Sequence, residues 1–503
     1  MPVLAALDVG SNALRLAIGE VDESRHLTVL EGMREAVRLG QDTFTHGSIS
    51  EESIEAAVTA FQRFRDAIAR RGAVKVRAVA TSAVREALNC ELFVDRIAST
   101  SGIDIEVIGP EEEARLIHLA VIDKVNLKNK LALLIDIGGG SSEITFASDV
   151  TILSTESFRI GAVRLLQMLE EKKHGQARFT VLLSEYMEAV RKRIARDIGD
   201  RTFDLCVGTG GNIEALADLV KPLLDRDRDG GMKLGDLDEL IKRLQALTFE
   251  ERVQDLGLRP DRSDVIVPAA LVLRTIMRAA KVEELAVPKV GLKEGLLLDM
   301  GDELYGNRRT ARRDQVVAAA LQLGKKYGFD EQHGVTVSRY AVQLFDQTKS
   351  IHNLGIEHRL LLEVAAMLHD VGAFVNVSEH HKHTLYIITN SPLVGLTKVQ
   401  TAIIGNVARY HRKSPPKIQH DGYRLLSAKE RVVVSKLAAI LRLADALDNE
   451  HASRVTAIAV EFKKPKLMIR LKGEGDMMLE KWATMKRAAM FEQVFNVRVV
   501  IEE

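Results

Sequence analysis

Ile135-Asp136-Ile137-Gly138-Gly139-Gly140-Ser141-Ser142-Glu143 is the stretch on which the reading of this chain turns. The apolar run Leu131 to Ile135 ahead of it has the length and composition of a buried strand. Glu143-Ile144-Thr145-Phe146 after it alternates polar and apolar, as a second strand does. The stretch is therefore a glycine-rich turn between two strands, with one acid at its entrance and another at its exit. Gly138, Gly139 and Gly140 let backbone N–H groups converge with no Cβ in the way, and Ser141 and Ser142 add hydroxyl donors. That is a cradle for phosphate oxygens. A carboxylate beside a phosphate needs a cation between them; Mg²⁺ suits such a donor set, with Mn²⁺ as the alternative. A dinucleotide fingerprint or a Walker loop would open a helix instead, and a Walker loop would carry Gly-Lys-Ser/Thr.

A lone glycine triplet would be read as an ordinary tight connection. A second copy changes that. Val3-Leu4-Ala5-Ala6-Leu7-Asp8-Val9-Gly10-Ser11-Asn12, followed by Leu14-Arg15-Leu16-Ala17-Ile18, repeats strand, Asp-x-Gly, small polar turn and strand 128 positions earlier. Internal repetition of this kind predicts two duplicated α/β domains whose hairpins face one cleft.

The chain has 503 residues, enough for three or four domains. With 46% apolar and 28% charged residues it has the composition of a globular protein. Cys90 and Cys206 stand far apart and in no metal-ligand spacing, which suits a reducing cytoplasm. No secretory leader pattern and no 18-residue apolar run is present, so neither export nor a membrane span is expected. Net charge is zero, yet residues 301–503 carry 30 Lys and Arg against 22 Asp and Glu, and ten of the 14 histidines. A boundary is expected at about 305, beside Gly306-Asn307-Arg308-Arg309, with a polyanion able to lie along the basic second half.

Between the two hairpins, Ser50-Glu51-Glu52-Ser53 opens a helix to Arg71, and Val74 to Ala80 reads as a strand ending in Thr81-Ser82-Ala83-Val84-Arg85. A helix start with Thr81 and Ser82 at a strand's C-terminal end is an anion site, and Arg85 offers a planar fork for phosphate. Gly109-Pro110-Glu111-Glu112-Glu113 then opens the helix that leads to the central turn. Phe203 to Val207 is a strand running into Gly208-Thr209-Gly210-Gly211-Asn212, a further glycine turn at a helix N-terminus. From about 310 the pattern is helical, and His333, His369-Asp370 and Asp445 fall on three helices, a mixed N/O donor set for a second divalent cation. His380, His381, His383 and His411 lie between them, and Tyr410-His411-Arg412-Lys413 places cations where a phosphate chain could pass. After 455 strand-like alternation returns.

In this order the motifs resemble the exopolyphosphatase/guanosine pentaphosphate phosphohydrolase family over essentially the whole chain. The resemblance rests on Asp8 to Asn12, Ala80 to Asn89, Glu112 to Ile117 and Asp136 to Glu143, supported by Gly161 to Leu165, Gly208 to Asn212, Leu292 to Leu296 and Tyr410 to Lys413. It implies two actin/sugar-kinase-like (ribonuclease H-like) α/β domains at 1–128 and 129–305 with the active site between them. An all-α His-Asp-type domain at 306–453 and a small α+β segment at 454–503 would follow. By the family pattern Glu113 is the general base, and Asp136 and Glu143 hold Mg²⁺ and orient the water. The turns of Asp8–Asn12, Gly138–Ser142 and Gly208–Asn212, with Thr81, Ser82 and Arg85, hold phosphates; a homodimer is implied. Ala13 and Lys293 depart from the usual Ser/Thr and Arg, whereas Asp445 is present although some relatives lack it.

The implied activity is Mg²⁺-dependent release of terminal orthophosphate from inorganic polyphosphate. Hydrolysis of guanosine pentaphosphate by the same site is the second reading, and a non-catalytic polyphosphate or alarmone sensor the third. A sugar kinase is disfavoured by an acid placed for water. Neither specific nucleic acid nor membrane is expected as a partner.

Overall fold

The computed structural model describes residues 1–149, 151–170, 176–226, 230–305, 308–391, 393–473 and 475–502. The chain divides into two compact units, Met1–Arg309 and Thr310–Glu503. Gly306 and Asn307, the turn at which the composition changes, lie outside the described residues.

Unit 1 is built on two mixed sheets. The first contains β1 (Val3–Val9), β2 (Leu14–Val21), β3 (Leu27–Glu35), β4 (Lys75–Ala80) and β5 (Ile105–Val107) in the order β3-β2-β1-β4-β5. The second contains β6 (Leu131–Ile137), β7 (Ser142–Ser148), β8 (Thr151–Phe158), β9 (Leu205–Thr209), β10 (Gly231–Lys233) and β11 (Glu284–Ala286) in the order β10-β11-β9-β6-β7-β8. In both, the first three strands form an antiparallel meander and the first strand pairs in parallel with the fourth. The repeat seen in the sequence is thus a repeat of topology. Mixed sheets covered by helices fit an α/β fold of the actin-like kind.

The central strands are buried on both faces, as their unbroken apolar runs require. Ala5, Leu7 and Val9 of β1 pack into the core of the first sheet, and Leu133, Ile135 and Ile137 of β6 into that of the second. The alternate residues Leu4, Ala6, Ala132 and Leu134 face a shared core, which also takes Leu116, Ile117 and Val121 of the helix Pro110–Lys124 and Leu296 to Leu298 of the helix Leu292–Leu304. Two helices therefore fill the space between the sheets. Buried ion pairs fix them: Arg115 Nη1 lies 3.0 Å from Asp299 Oδ1, Arg77 Nη1 lies 2.6 Å from Asp299 Oδ2, and Arg115 Nε lies 2.7 Å from Glu112. The helices touch so closely that a Cβ at Gly295 would stand 1.9 Å from the Leu116 carbonyl oxygen.

Unit 2 is a helical layer packed on one small sheet. The helices Glu331–Gln347, Ile356–Leu368, Lys398–Arg409 and Ala428–Ala446 share a single apolar core with β12 (Val455–Lys463), β13 (Lys466–Gly473) and β14 (Arg498–Glu502). The C-terminal strands are thus packed into the helical core. No helix among the described residues is long and apolar enough to cross a membrane.

Gly295→Ala should force the two buried helices apart and cost about 3 kcal/mol or more, the upper range of overpacking in a filled core. Chemical denaturation monitored by circular dichroism measures this, and a change under 1 kcal/mol would contradict the close approach.

Candidate active site

Both Asp-Gly hairpins of unit 1 open onto one cavity of about 380 Å³. Asp8, Gly10, Ser11 and Asn12 line it from the end of β1, and Asp136, Gly138, Gly139 and Ser141 from the end of β6. Thr81 and Ser82 follow β4, and Gly210, Gly211 and Asn212 follow β9. All four strands are parallel neighbours pointing their C-terminal ends the same way within their sheets, which is where α/β sheets bind ligands. The helix Pro110–Lys124 brings Glu113 to the same cavity in its first turn.

Glu113, Asp136 and Glu143 place one carboxylate oxygen each within 4.8 Å of the others. One oxygen of Asp136 accepts a hydrogen bond from Thr209 Oγ1 at 2.6 Å, and Glu143 Oε1 accepts one from Ser157 Oγ at 2.8 Å. Glu113 Oε2 and Glu143 Oε2 are buried with no hydrogen-bond partner among the described residues. Arg85 Nη1 lies 3.9 Å from Glu113 Oε2, too far to compensate it fully. Burial and mutual repulsion hold all three acids above the ordinary carboxylate range. Glu113 is raised by burial and by Glu143; Glu143 is pushed up to about 7 by burial and Asp136; Asp136 is pushed up to about 6 by burial and Asp8. Glu113 and Asp136 line the cavity and Glu143 is buried beside them; converging carboxylate oxygens of this kind are a donor set that fits a hard divalent cation.

Not every expected phosphate contact lies on the cavity. Arg85 donates to the Ile108 carbonyl at 2.6 Å and backs Glu113. Thr209 orients Asp136. Ser142 Oγ donates to the Ile160 carbonyl at 3.2 Å. Gly140 and Gly208 are glycines for packing: a Cβ would stand 2.3 Å from Phe44 in the first case and 2.8 Å from Ile213 and Leu285 in the second. Turn composition marks such glycines equally whether they face a ligand or a neighbouring helix.

The cavity also has a cationic wall, of which the motif reading singled out only Lys293. Arg15, Arg34, Arg259 and Arg262 line it with Lys293. Arg15 Nη1 lies 2.8 Å from Asp8 Oδ2, the two being direct cross-strand partners on β1 and β2. Arg262 Nη1 donates to Asn212 Oδ1 at 3.0 Å, and burial together with Arg15 lowers its guanidinium to about 10. Arg34 pairs with Asp261, whose backbone carbonyl also accepts from Asn12 Nδ2 at 2.9 Å. The Asp8–Arg15 pair was open to inspection from the hairpin; Arg259 and Arg262 join it only across 250 residues of chain.

In unit 2, His333, His369, Asp370 and Asp445 converge. Asp445 Oδ1 lies 3.5 Å from His369 Nε2 and 3.8 Å from His333 Nε2, and Asp370 Oδ2 lies 3.7 Å from His369 Nε2. His411, expected on a surface path for a polyanion beside Arg412 and Lys413, is buried instead, with its Nε2 3.3 Å from Asp370 Oδ1. Its position after the helix Lys398–Arg409 turns it inward, while Arg412 and Lys413 stay nearer solvent.

Residues 18–304 match the model of the Ppx/GppA phosphatase family, and residues 316–485 match that of Ppx/GppA phosphatase domain III. The chain belongs to the Ppx/GppA phosphatase family. A guanosine-5'-triphosphate,3'-diphosphate pyrophosphatase of Vibrio parahaemolyticus is 26% identical over 443 residues, covering 88% of this chain and 87% of that protein. The corresponding Vibrio vulnificus protein is 26% identical over 415 residues, covering 82% and 81%. An exopolyphosphatase of Cytophaga hutchinsonii superposes with a TM-score of 0.55 at 29% identity, over 60% of this chain and 98% of that one. Family members of both kinds act on phosphoanhydrides, and this chain is an enzyme of that class.

Glu143 should betray its burial in a pH profile of stability. Its folded pKa of about 7 exceeds the ordinary 4.5, so between those values the folded state keeps a proton that the unfolded state has lost. In chelator, stability therefore falls as pH rises through this window. Glu143→Gln, which cannot ionise, should be more stable than wild type at pH 8 by up to ~3 kcal/mol and show a smaller difference at pH 5. Thermal unfolding in chelator at both pH values tests this, and added divalent cation should close the gap at pH 8 only.

Proposed function

We propose that the cavity of unit 1 hydrolyses the terminal phosphoanhydride of a linear phosphate chain, releasing orthophosphate, with inorganic polyphosphate as the substrate. The observation that carries this reading is the pair of buried carboxylate oxygens on Glu113 and Glu143 with no hydrogen-bond partner among the described residues, within reach of Asp136 on a cavity lined by three glycine turns. Transfer of a phosphoryl group to water asks for positioning and charge neutralisation more than covalent chemistry.

A divalent cation, Mg²⁺ or Mn²⁺, held by Asp136 and Glu143 would neutralise the charge that builds on the phosphate oxygens. Glu113 takes the proton of the attacking water. Its raised affinity for a proton suits a base that works near neutral pH. Arg85 is close enough to steady the Glu113 carboxylate without holding it fully as an ion pair. Backbone N–H groups of Ser11, Asn12, Gly139 and Gly210 to Asn212, with the hydroxyls of Ser11, Ser141, Thr81 and Ser82, cradle successive phosphates, while the Gly10 and Gly138 N–H groups close their turns on Ala13 and Ser141. Arg15, Arg34, Arg259, Arg262 and Lys293 extend that cradle for a chain carrying one charge or more per phosphate.

Guanosine pentaphosphate is the second reading. The relatives that span nearly the whole chain carry the guanosine name, while the exopolyphosphatase likeness spans 60% of it. The reading extends to a divalent cation at His333, His369, Asp370 and Asp445 in a His-Asp-type helical domain at 306–453. It also extends to a cytoplasmic location, supported by two free cysteines, and to the homodimer that the sequence resemblance implies.

Glu113→Gln should lower phosphate release from long-chain polyphosphate by ~10²-fold or more while leaving polyphosphate binding in place. Release from polyphosphate and from guanosine pentaphosphate, compared as kcat/KM for the wild type, decides between the two substrates. Release from neither would leave only the sensor.

A further inference from the structure

Asp8, Glu113, Asp136, Glu214 and Glu294 are the acids among the described residues that line the cavity of unit 1. All but one are accounted for. Asp8 pairs with Arg15 at 2.8 Å, and Asp136 accepts from Thr209 Oγ1 at 2.6 Å. Glu294 accepts from the Gly291 N–H at 2.9 Å and pairs with Lys293. Glu113 stands with Asp136 and Glu143 in the carboxylate cluster. Glu214 is left over. Among the described residues its carboxylate makes neither a hydrogen bond nor an ion pair.

Its place on a helix does not explain it. Glu214 stands in the first turn of Gly211–Leu224, the helix that the third glycine turn opens. An acid is favoured near a helix N-terminus, yet no side-chain hydrogen bond caps this one, and Glu214 lies along the cavity wall. Burial raises its pKa, while Lys293 and Arg15 pull it down. That is the state of a carboxylate short of donors. The same cavity carries apolar surface for which a phosphate chain has no use: Met33 beside Arg34, and Leu292 beside Lys293.

An ionised carboxylate only accepts hydrogen bonds, and so do the oxygens of an ionised phosphate chain. A bare chain drawn along the cationic wall therefore meets Glu214 as a like charge. A nucleoside brings what is missing. The N1–H and N2–H groups of guanine lie side by side and fit the two oxygens of one carboxylate, ribose adds a 2′-hydroxyl, and the base adds apolar faces. We propose that Glu214 sets the selectivity of this cavity, accepting hydrogen bonds from the nucleoside end of guanosine pentaphosphate and penalising a bare polyphosphate chain at the same position. The inference rests on the hydrolase reading and deepens it: both substrates share the Glu113 chemistry, and Glu214 acts on what lies beyond the reacting phosphates.

The test measures binding to the full chain carrying Glu113→Gln, so that bound substrate is consumed slowly, with Mg²⁺ present. Guanosine pentaphosphate and tetrapolyphosphate are titrated calorimetrically with and without Glu214→Ala, folding being checked by circular dichroism. Loss of the carboxylate should weaken the guanosine ligand by ~10–10²-fold, the equivalent of one hydrogen bond to a charged group, and should tighten tetrapolyphosphate. Glu214→Gln, which keeps one acceptor oxygen and drops the charge, should fall between. The triphosphates of guanosine, inosine and 2′-deoxyguanosine identify the donor. It is the guanine amine if inosine binds more weakly than guanosine only while Glu214 is present, and the ribose hydroxyl if 2′-deoxyguanosine does. Equal changes for guanosine pentaphosphate and tetrapolyphosphate, as a purely structural role would give, or equal binding of the three triphosphates, would overturn the proposal. Phosphate release by the wild type judges the hydrolase reading separately: its absence would remove that reading, while the binding ratios still decide the role of Glu214.

Discussion

Burial of the helix Pro110–Lys124 between two sheets is the constraint on which unit 1 depends. A helix in the shared core must be apolar or paired on nearly every face, and this one is. Leu116, Ile117 and Val121 supply apolar surface, while Arg115 is neutralised by Glu112 and Asp299. A buried guanidinium left unpaired would be costly, so Asp299 and Arg77 come with it. Gly295 lets the helix Leu292–Leu304 approach to backbone contact, and the first turn of its neighbour then stands where β1 and β6 end. Glu113 reaches the cavity because the helix that carries it has nowhere else to lie.

The site itself works against folding. Three carboxylates are held above their ordinary range by burial and by neighbouring acids, and two of their oxygens find no donor among the described residues. Apolar burial in the sheet cores offsets this, since the strands that end at the cavity are among the most buried segments of the chain. A scaffold of this kind can hold uncompensated charge in place for a cation and a phosphate to complete. The cationic wall of Arg15, Arg34, Arg259, Arg262 and Lys293 serves the opposite sign by the same means. Unit 2 uses helix ends for a comparable purpose. Near the ends of Ile356–Leu368 and Lys398–Arg409, His369 and His411 turn Nδ1 back to donate to the carbonyls of Ala366 and Ala408.

How much of this was legible depended on range. The two hairpins could be read because strand, acid, glycine turn and strand are contiguous, and the register pairs Asp8 with Arg15 and Asp136 with Glu143 directly across each hairpin. Helix starts were legible for the same reason: Ser50 caps its helix by accepting from the Ser53 N–H, and Pro110 opens the one that carries Glu113. His380 and His411 were visible as histidines but not as partners of Asp370. Their relation depends on where three helices end relative to one another. Gly140, Ser142 and Gly208 look like phosphate contacts in a one-dimensional pattern, yet Phe44, Ile160, Ile213 and Leu285 claim them.

The amino-acid sequence by itself determined the duplicated hairpins, their acids and glycines, and the His-Asp pattern of the helical half, because each is a local arrangement of residue types. The tertiary structure alone decided which carboxylate oxygens are left without a donor and which histidine nitrogens face each other. It also decided which arginines, some 250 residues apart in the chain, share one cavity wall. Charge, desolvation and coordination act through distances of a few ångströms, and those distances are set by packing between segments that the linear order keeps far apart.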